Sequence, residues 1–240
     1  MTVTAEVVSV HQMTPRVKQF RLRVEGHEFD YEPGQHTTVQ FERDGEEVVR
    51  PYTPTSLPGT DSITLAIKVY DDGTASAYMH TRRVGDEVTL GALEGNLTLE
   101  NPEADVAFVA TGTGITPMMA LLKQYLREGE GDVHFFFGEK DRESVLYRET
   151  LDQLEAEHEN LTVVYSLSES GYEWTGPTGH VQEHLEEYLD DFEERDFYVC
   201  GVPGMVVETT ERLADLGAPD DRVFTEGWEE GAVADEGDGG

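Results

Sequence analysis

A chain of 240 residues with 38% apolar content has room for one large domain or two ordinary ones, with a core that needs no covalent staples. Its 50 acidic residues against 17 basic ones give a formal charge of −33 and exclude nucleic acid as a partner, since no basic patch exists to displace phosphate counterions. A single cysteine, Cys200, excludes an intramolecular disulfide and any cluster held by four cysteines of this chain, and no apolar run is long enough to span a bilayer.

The start, Met1-Thr2-Val3-Thr4-Ala5-Glu6-Val7, has neither a basic region nor a signal-like apolar block, so the chain reads as cytoplasmic, with no membrane partner. Strand-like alternation follows in Val3, Ala5 and Val7; in Phe20, Leu22 and Val24; in Val39 and Phe41; and in Ile63, Leu65, Ile67 and Val69. Turn clusters separate these runs, among them Glu32-Pro33-Gly34, Arg43-Asp44-Gly45, Leu57-Pro58-Gly59 and Val84-Gly85-Asp86. Short antiparallel strands of this kind predict a β-barrel, with one short helix over residues 76–83.

The texture changes near Asn101-Pro102. Beyond it, Val106–Ala110, Val133–Phe137, Leu161–Tyr165 and Phe197–Cys200 are continuous apolar runs, as in strands buried on both faces of a parallel sheet. Helical stretches alternate with them over Met118–Arg127, Tyr147–Glu157, His180–Leu189 and Met205–Leu216, which predicts a doubly wound α/β domain. The expected organisation is a barrel domain over 1–100, an α/β domain over 101–228 and a flexible acidic tail over 229–240.

The acids are spread along the whole chain, and only four of the basic residues are lysines. This reads as a surface adapted to concentrated salt, hence a halophilic source. At about 1 M salt the Debye length is roughly 3 Å and mutual repulsion is screened. Equal stability in dilute and molar salt would count against this.

Four motifs stand out. In the α/β half, the strand Val106–Ala110 runs into Thr111-Gly112-Thr113-Gly114-Ile115-Thr116-Pro117, with Pro117 in a first helical turn. Glycines there let the backbone approach a pyrophosphate, and the helix start offers unpaired amides. A second loop, Cys200-Gly201-Val202-Pro203-Gly204-Met205, also ends a strand and opens a helix, so a dinucleotide has two loops to lie across. In the barrel half, Arg50-Pro51-Tyr52-Thr53-Pro54 offers a guanidinium suited to a diphosphate, a ring to stack and a hydroxyl on a proline-stiffened segment. Lys68-Val69 followed by Gly73-Thr74-Ala75-Ser76 forms another anion cup. Each also has a structural reading: glycine for any strand-to-helix turn, an ordinary edge strand, Ser76 as a plain cap, Cys200 as a small buried apolar residue. His180-Val181-Gln182-Glu183-His184 fits a zinc pattern but has no identifiable third ligand, so no metal is expected.

The order of the set is more specific than its members. Arg-x-Tyr-Thr, Gly-x-x-Ser, Gly-Thr-Gly-Ile-Thr-Pro, Cys-Gly-x-Pro-x-Met and a terminal Phe-x-Glu-x-aromatic together resemble the ferredoxin–NADP+ reductase superfamily across residues 1–228. The resemblance implies an N-terminal flavin-binding barrel and a C-terminal NAD(P)-binding domain. It places Arg50 at the flavin pyrophosphate, with Pro51 in the same cofactor-binding segment, Tyr52 against the flavin and the Thr53 hydroxyl near flavin N5. The backbone of Lys68 and Val69 is placed facing the isoalloxazine or ribityl region, and Gly73 and Ser76 at the pyrophosphate. Gly112, Thr113, Gly114 and Pro117 form the dinucleotide loop; Cys200 and Gly201 lie beside the nicotinamide, and Glu226 is the carboxylate near the chemistry. Trp228 falls where relatives stack an aromatic on the flavin, although here the chain continues past it. FAD rather than FMN is implied by the family alone.

In NADP-using relatives a Ser-Arg pair grips the 2′-phosphate. Here the stretch is Leu167-Ser168-Glu169-Ser170, whose Glu169 repels a phosphate, so NADH is favoured; Lys140 or Arg142 remains an alternative phosphate partner. The expected enzyme passes hydride from NAD(P)H to FAD, and electrons onward to ferredoxin or another electron-acceptor protein such as an oxygenase component. The lone cysteine argues against the cluster-bearing dihydroorotate dehydrogenase electron-transfer subunit. The alternatives are reduction of free flavin, ferric complexes or quinone, and, from another class, a non-catalytic binding module or scaffold that keeps the fold.

Overall fold

The structure, a computed structural model, describes residues 2–226, and its contacts divide them into two units that part between Thr98 and Leu99. In the first unit the alternating residues form strands Val3–Thr14 (β1), Val17–Arg23 (β2), Thr37–Arg43 (β3), Glu46–Tyr52 (β4), Ser62–Lys68 (β5) and Glu87–Leu90 (β6), with one helix, Thr74–His80 (α1). The sheet is antiparallel, in the order β4-β3-β6-β1-β2-β5. Beyond β4, Thr55 donates its N–H to the Thr64 carbonyl and Ser56 Oγ accepts from the Thr64 N–H, so the two edge strands meet and the sheet closes as a barrel. Ala5, Val7, Phe20, Leu22, Val39, Ile63, Leu65 and Ile67 point inward and bury against Met79 of α1. β4 lacks the apolar alternation of its neighbours. As an edge strand it tolerates Glu46, Glu47 and Pro51, whose missing N–H faces no ladder partner.

The second unit carries a five-stranded parallel sheet of Val106–Thr111 (β7), Val133–Glu139 (β8), Leu161–Leu167 (β9), Asp196–Cys200 (β10) and Val223–Thr225 (β11), in the order β11-β10-β7-β8-β9. Its helices are Ile115–Glu128 (α2), Arg148–Glu157 (α3), Leu185–Tyr188 (α4) and Pro203–Asp215 (α5). One face buries Ala107, Val109, Phe136, Phe197 and Val199 under Val181, Leu185, Met205 and Leu213. The alternate residues Phe108, Phe135 and Tyr198 are equally buried, which is why the strands are continuously apolar. Arg195, almost fully buried at the strands' amino ends, forks onto both Asp191 carboxylate oxygens and donates to the Val106 and Asp132 carbonyls.

One helix differs from expectation. The four-residue spacing of Val181, Leu185 and Leu189 predicts a single helix over 180–189, but a 3-10 turn over Val181–His184 precedes the short α4. Val181 lies closely over Gly138, and the Glu183 carboxylate accepts the His180 N–H, holding the first turn tight against the sheet. No described helix is long and apolar enough to cross a membrane.

Candidate functional site

Strand β4 carries Arg50 and Pro51 opposite Val39 and Thr38, with the Arg50 guanidinium exposed and donating to the Val49 carbonyl at 3.0 Å. Tyr52 packs half-buried on the barrel core, and Thr53, just past the strand, is buried. The next motif follows β5. Val17 of β2 pairs with Lys68, while Val69 gives its N–H to the Arg16 carbonyl and accepts Arg16 Nε at 3.2 Å. The Val69 main chain is therefore engaged with Arg16, leaving its side chain and the second carbonyl lone pair.

Gly73 caps α1, and a Cβ there would strike Ser76 Oγ, which accepts the Tyr70 N–H. Helix α1 packs on β4 and β5, so the Arg50 strand and the Gly73–Ser76 loop share one neighbourhood. The sequence reading missed what holds α1 there. Tyr78 stacks on Phe41 of β3 with centroids 3.9 Å apart, and the Arg82 guanidinium sits 4.4 Å from the Tyr78 ring. Lys18 donates to the carbonyl of His80, whose imidazole lies 2.8 Å from the Ile67 carbonyl. Burial holds the His80 imidazole below its ordinary pKa, with the Ile67 carbonyl opposing and Lys18 assisting. No local pattern links Phe41 to Tyr78; only the four-residue spacing of Tyr78 and Arg82 hints at the contact between those two.

In the second unit, β7 leads to β8 on one side and has β10 on the other, so the β7 and β10 carboxyl ends flank the topological switch point of the sheet. Both glycine loops lie there. Gly112 has φ +55°, a left-handed conformation costly for other residues. Gly114 lies so close to Cys200 and Gly201 that a Cβ would overlap the Cys200 carbonyl; a Cβ on Gly201 would meet Thr111 Oγ1 and Met205 Cε. Thr111 Oγ1 accepts the Val202 N–H at 3.3 Å, and Thr116 Oγ1 donates to the Thr113 carbonyl at 2.9 Å. Pro117 sits in the first turn of α2, and Pro203 opens α5. The site thus consists of two helix starts and bare backbone, brought close by the absence of side chains.

The parallel pairing of Val199 with Thr225 sets the next residues, Cys200 and Glu226, side by side. The thiol donates to Glu226 Oε2 at 3.8 Å. Burial raises the Glu226 carboxyl to about 7, partly offset by the Cys200 hydrogen bond, while burial and then the nearby carboxylate push the Cys200 thiol well up. Cys200 is therefore a proton-bearing neighbour rather than a nucleophile. Trp228 lies outside the described residues.

The carboxyl ends of β8 and β9 also adjoin, since Ser168 donates to the Glu139 carbonyl and Glu169 to the Lys140 carbonyl. Glu169, Lys140 and Arg142 are all exposed there. The two histidines of the zinc-like pattern are engaged elsewhere: His180 faces Glu208 at 3.8 Å, and His184 spans the Thr178 carbonyl and Glu187. Among the described residues no group of three His, Cys, Asp or Glu is placed to hold a metal ion.

The residues fit both groups that the sequence resemblance implies. The close approach of Gly114 to Cys200 and Gly201 and the open space at Gly112 leave two helix starts without side chains for a pyrophosphate at the switch point, and the exposed Arg50 guanidinium suits a second one. Comparison with known proteins agrees. Residues 4–98 match the model of the oxidoreductase FAD-binding domain, and residues 108–211 that of the oxidoreductase NAD-binding domain. The chain is 30% identical over 233 residues to ferredoxin–NADP reductase B of Sorangium cellulosum, spanning 92% of this chain and 96% of that protein. It is 31% identical over 198 residues to NADH-cytochrome b5 reductase 1 of Dictyostelium discoideum, spanning 80% of this chain and 69% of that one. The fold also superposes on the flavohem-like FAD/NAD-binding domain of nitric oxide dioxygenase from Vibrio cholerae, with a TM-score of 0.85 at 24% identity, over 93% of this chain and 97% of that one.

Proposed function

The chain belongs to the ferredoxin–NADP+ reductase family of FAD- and NAD-binding oxidoreductases, and from that premise we propose that it draws hydride from NADH and delivers electrons to a separate acceptor protein, a ferredoxin or an oxygenase component. It is an NAD(P)H-dependent flavoprotein reductase with FAD and NAD(P)H as its cofactors. FAD, when bound, supplies the chemistry of taking up two electrons together and releasing them singly.

The chain's own residues bind and orient. Arg50, Gly73 and Ser76 hold the flavin pyrophosphate, Tyr52 packs against the flavin, and Lys68 and Val69 line its ring or ribityl side. The buried Thr53 hydroxyl would lie near flavin N5. Gly112, Thr113, Gly114 and Pro117 receive the dinucleotide pyrophosphate on the start of α2, and Cys200 with Gly201 takes the nicotinamide. Glu226, raised to about 7 by burial, can take up or give up a proton near neutral pH beside the Cys200 thiol. Glu169 disfavours a 2′-phosphate, which supports NADH over NADPH, and the acid-rich surface supports work in concentrated salt.

The observation that carries this reading is the convergence at the β10 carboxyl end, where Gly114 meets Cys200 and Gly201, and Glu226 lies 3.8 Å from Cys200 Sγ. The test is the absorbance of the purified protein in molar salt, before and after anaerobic NADH. A flavin spectrum that bleaches is expected, followed by recovery on adding an oxidised one-electron acceptor protein. A protein that takes up no flavin, or keeps it oxidised under NADH, refutes the proposal. Recovery with free flavin, ferric complexes or quinone but with no acceptor protein moves the assignment to those acceptors.

A further inference from the structure

The described part of the second unit, from Leu99 to Glu226, holds 30 acidic residues against 8 basic ones, whereas the first unit, up to Thr98, holds 15 against 9. The acidic excess is thus concentrated on the unit whose loops are proposed to receive the anionic dinucleotide. Those loops contain no compensating cation: Thr111–Pro117 and Cys200–Met205 include neither lysine nor arginine. The two cations that follow β8, Lys140 and Arg142, alternate with Glu139, Asp141 and Glu143. On the dinucleotide reading the phosphates would meet the starts of α2 and α5 and the backbone that Gly114 and Gly201 bring close together, with no lysine or arginine from these loops. Anion sites built from lysine and arginine lose affinity as salt rises, because added ions screen the attraction and reduce the gain from counterion release. A site built from dipoles inside an acidic field should behave in the opposite sense.

Resting on the dinucleotide reading of these loops, we infer that mobile cations act as a co-requirement of substrate capture: salt strengthens binding of the dinucleotide to this unit, in proportion to the dinucleotide's charge. A ligand of two negative charges roughly 20 Å from a net excess of about 22 is repelled at 0.1 M salt, where the Debye length is about 10 Å, and is freed of that repulsion near 1 M, where it is about 3 Å. The gain expected between those salts is about tenfold in affinity, equivalent to about 1.4 kcal/mol. NAD+, whose nicotinamide cation leaves one net negative charge, should gain half of that free energy, about threefold.

The experiment titrates flavin-loaded, oxidised protein by calorimetry with 1,4,5,6-tetrahydro-NAD, a redox-inert mimic carrying the charge of NADH, and separately with NAD+. Potassium chloride runs from about 0.1 to about 1 M at a fixed concentration of trimethylamine N-oxide, a neutral osmolyte that supports the fold without screening. Far-UV circular dichroism and flavin absorbance mark the salt range over which the protein is unchanged. A gain of about tenfold for the tetrahydro analogue and about threefold for NAD+ is expected. Equal gains for both ligands mean that salt merely drives their rings out of water, and overturn the inference. Flat or falling affinity overturns it too, while leaving the dinucleotide site intact. Failure of both ligands to bind at any salt removes the dinucleotide reading itself.

Discussion

Gly112, Gly114 and Gly204 lie at the same two loops, yet an alanine should act on each through a different mechanism. At Gly114 the added methyl overlaps the Cys200 carbonyl and the Gly201 nitrogen, which are backbone atoms held by the β7–β10 ladder. They cannot rotate away, so the loops must part, at a cost of about 2–3 kcal/mol in the stability of the second unit. At Gly112 the space is open but φ is +55°, so Gly112→Ala costs about 1 kcal/mol of backbone strain without moving a neighbour. At Gly204 nothing lies within 4 Å and the residue is in the first turn of α5, so Gly204→Ala should be neutral or stabilising by up to about 1 kcal/mol. Denaturant titration of the three variants gives the order of stability. Calorimetry with the tetrahydro analogue gives the functional side, where only Gly114→Ala should lose tenfold or more in affinity, because only it separates the helix starts. Equal behaviour of Gly114→Ala and Gly204→Ala in both assays would refute the close-approach argument.

Glu226 has a carboxyl raised to about 7 from an unfolded value near 4.5, so its contribution to stability is full below the unfolded value and is lost as pH rises through about 7. Glu226→Gln should remove that downward step from the stability–pH curve and should slow electron transfer with flavin still bound; a retained step, or normal rates with several acceptors, takes Glu226 out of the site. Arg195→Met takes the guanidinium from the Asp191 carboxylate and the Val106 carbonyl, while the Asp132 carbonyl keeps the Val106 N–H, and should destabilise the second unit by about 3 kcal/mol in thermal or chemical unfolding. A change below about 0.5 kcal/mol would mean that water replaces the guanidinium. Arg50→Ala should weaken flavin retention by one or two orders of magnitude, the worth of a charge-assisted hydrogen bond of about 1.5–3 kcal/mol, as read from flavin fluorescence released on dilution. Unchanged occupancy counts against the pyrophosphate role.

Much of the architecture was legible from local pattern alone. Phe20 and Leu22, or Ile63, Leu65 and Ile67, alternate because one side of each strand faces a barrel interior, and β7 to β10 are continuously apolar because both sides of their sheet are covered. Glycine spacing marked both loops for a related reason, since a backbone that must come close to another backbone cannot carry side chains. Local pattern was silent where the determining partner lies far along the chain. The end of β4, Arg50–Tyr52, reads as an edge strand, but its acidic start, Glu46 and Glu47, becomes strand only because β3 offers a ladder and the barrel needs an edge that bends round to Thr64. The segment 180–189 has helical spacing, but Val181 must lie over Gly138, and that contact favours the tighter 3-10 turn. The pairing of Cys200 with Glu226, and the tying of α1 to the sheet by Phe41 and Tyr78, are set by strand register and helix docking. Periodicity reports which side of an element is buried, and it carries no information about which distant residue will be buried against it.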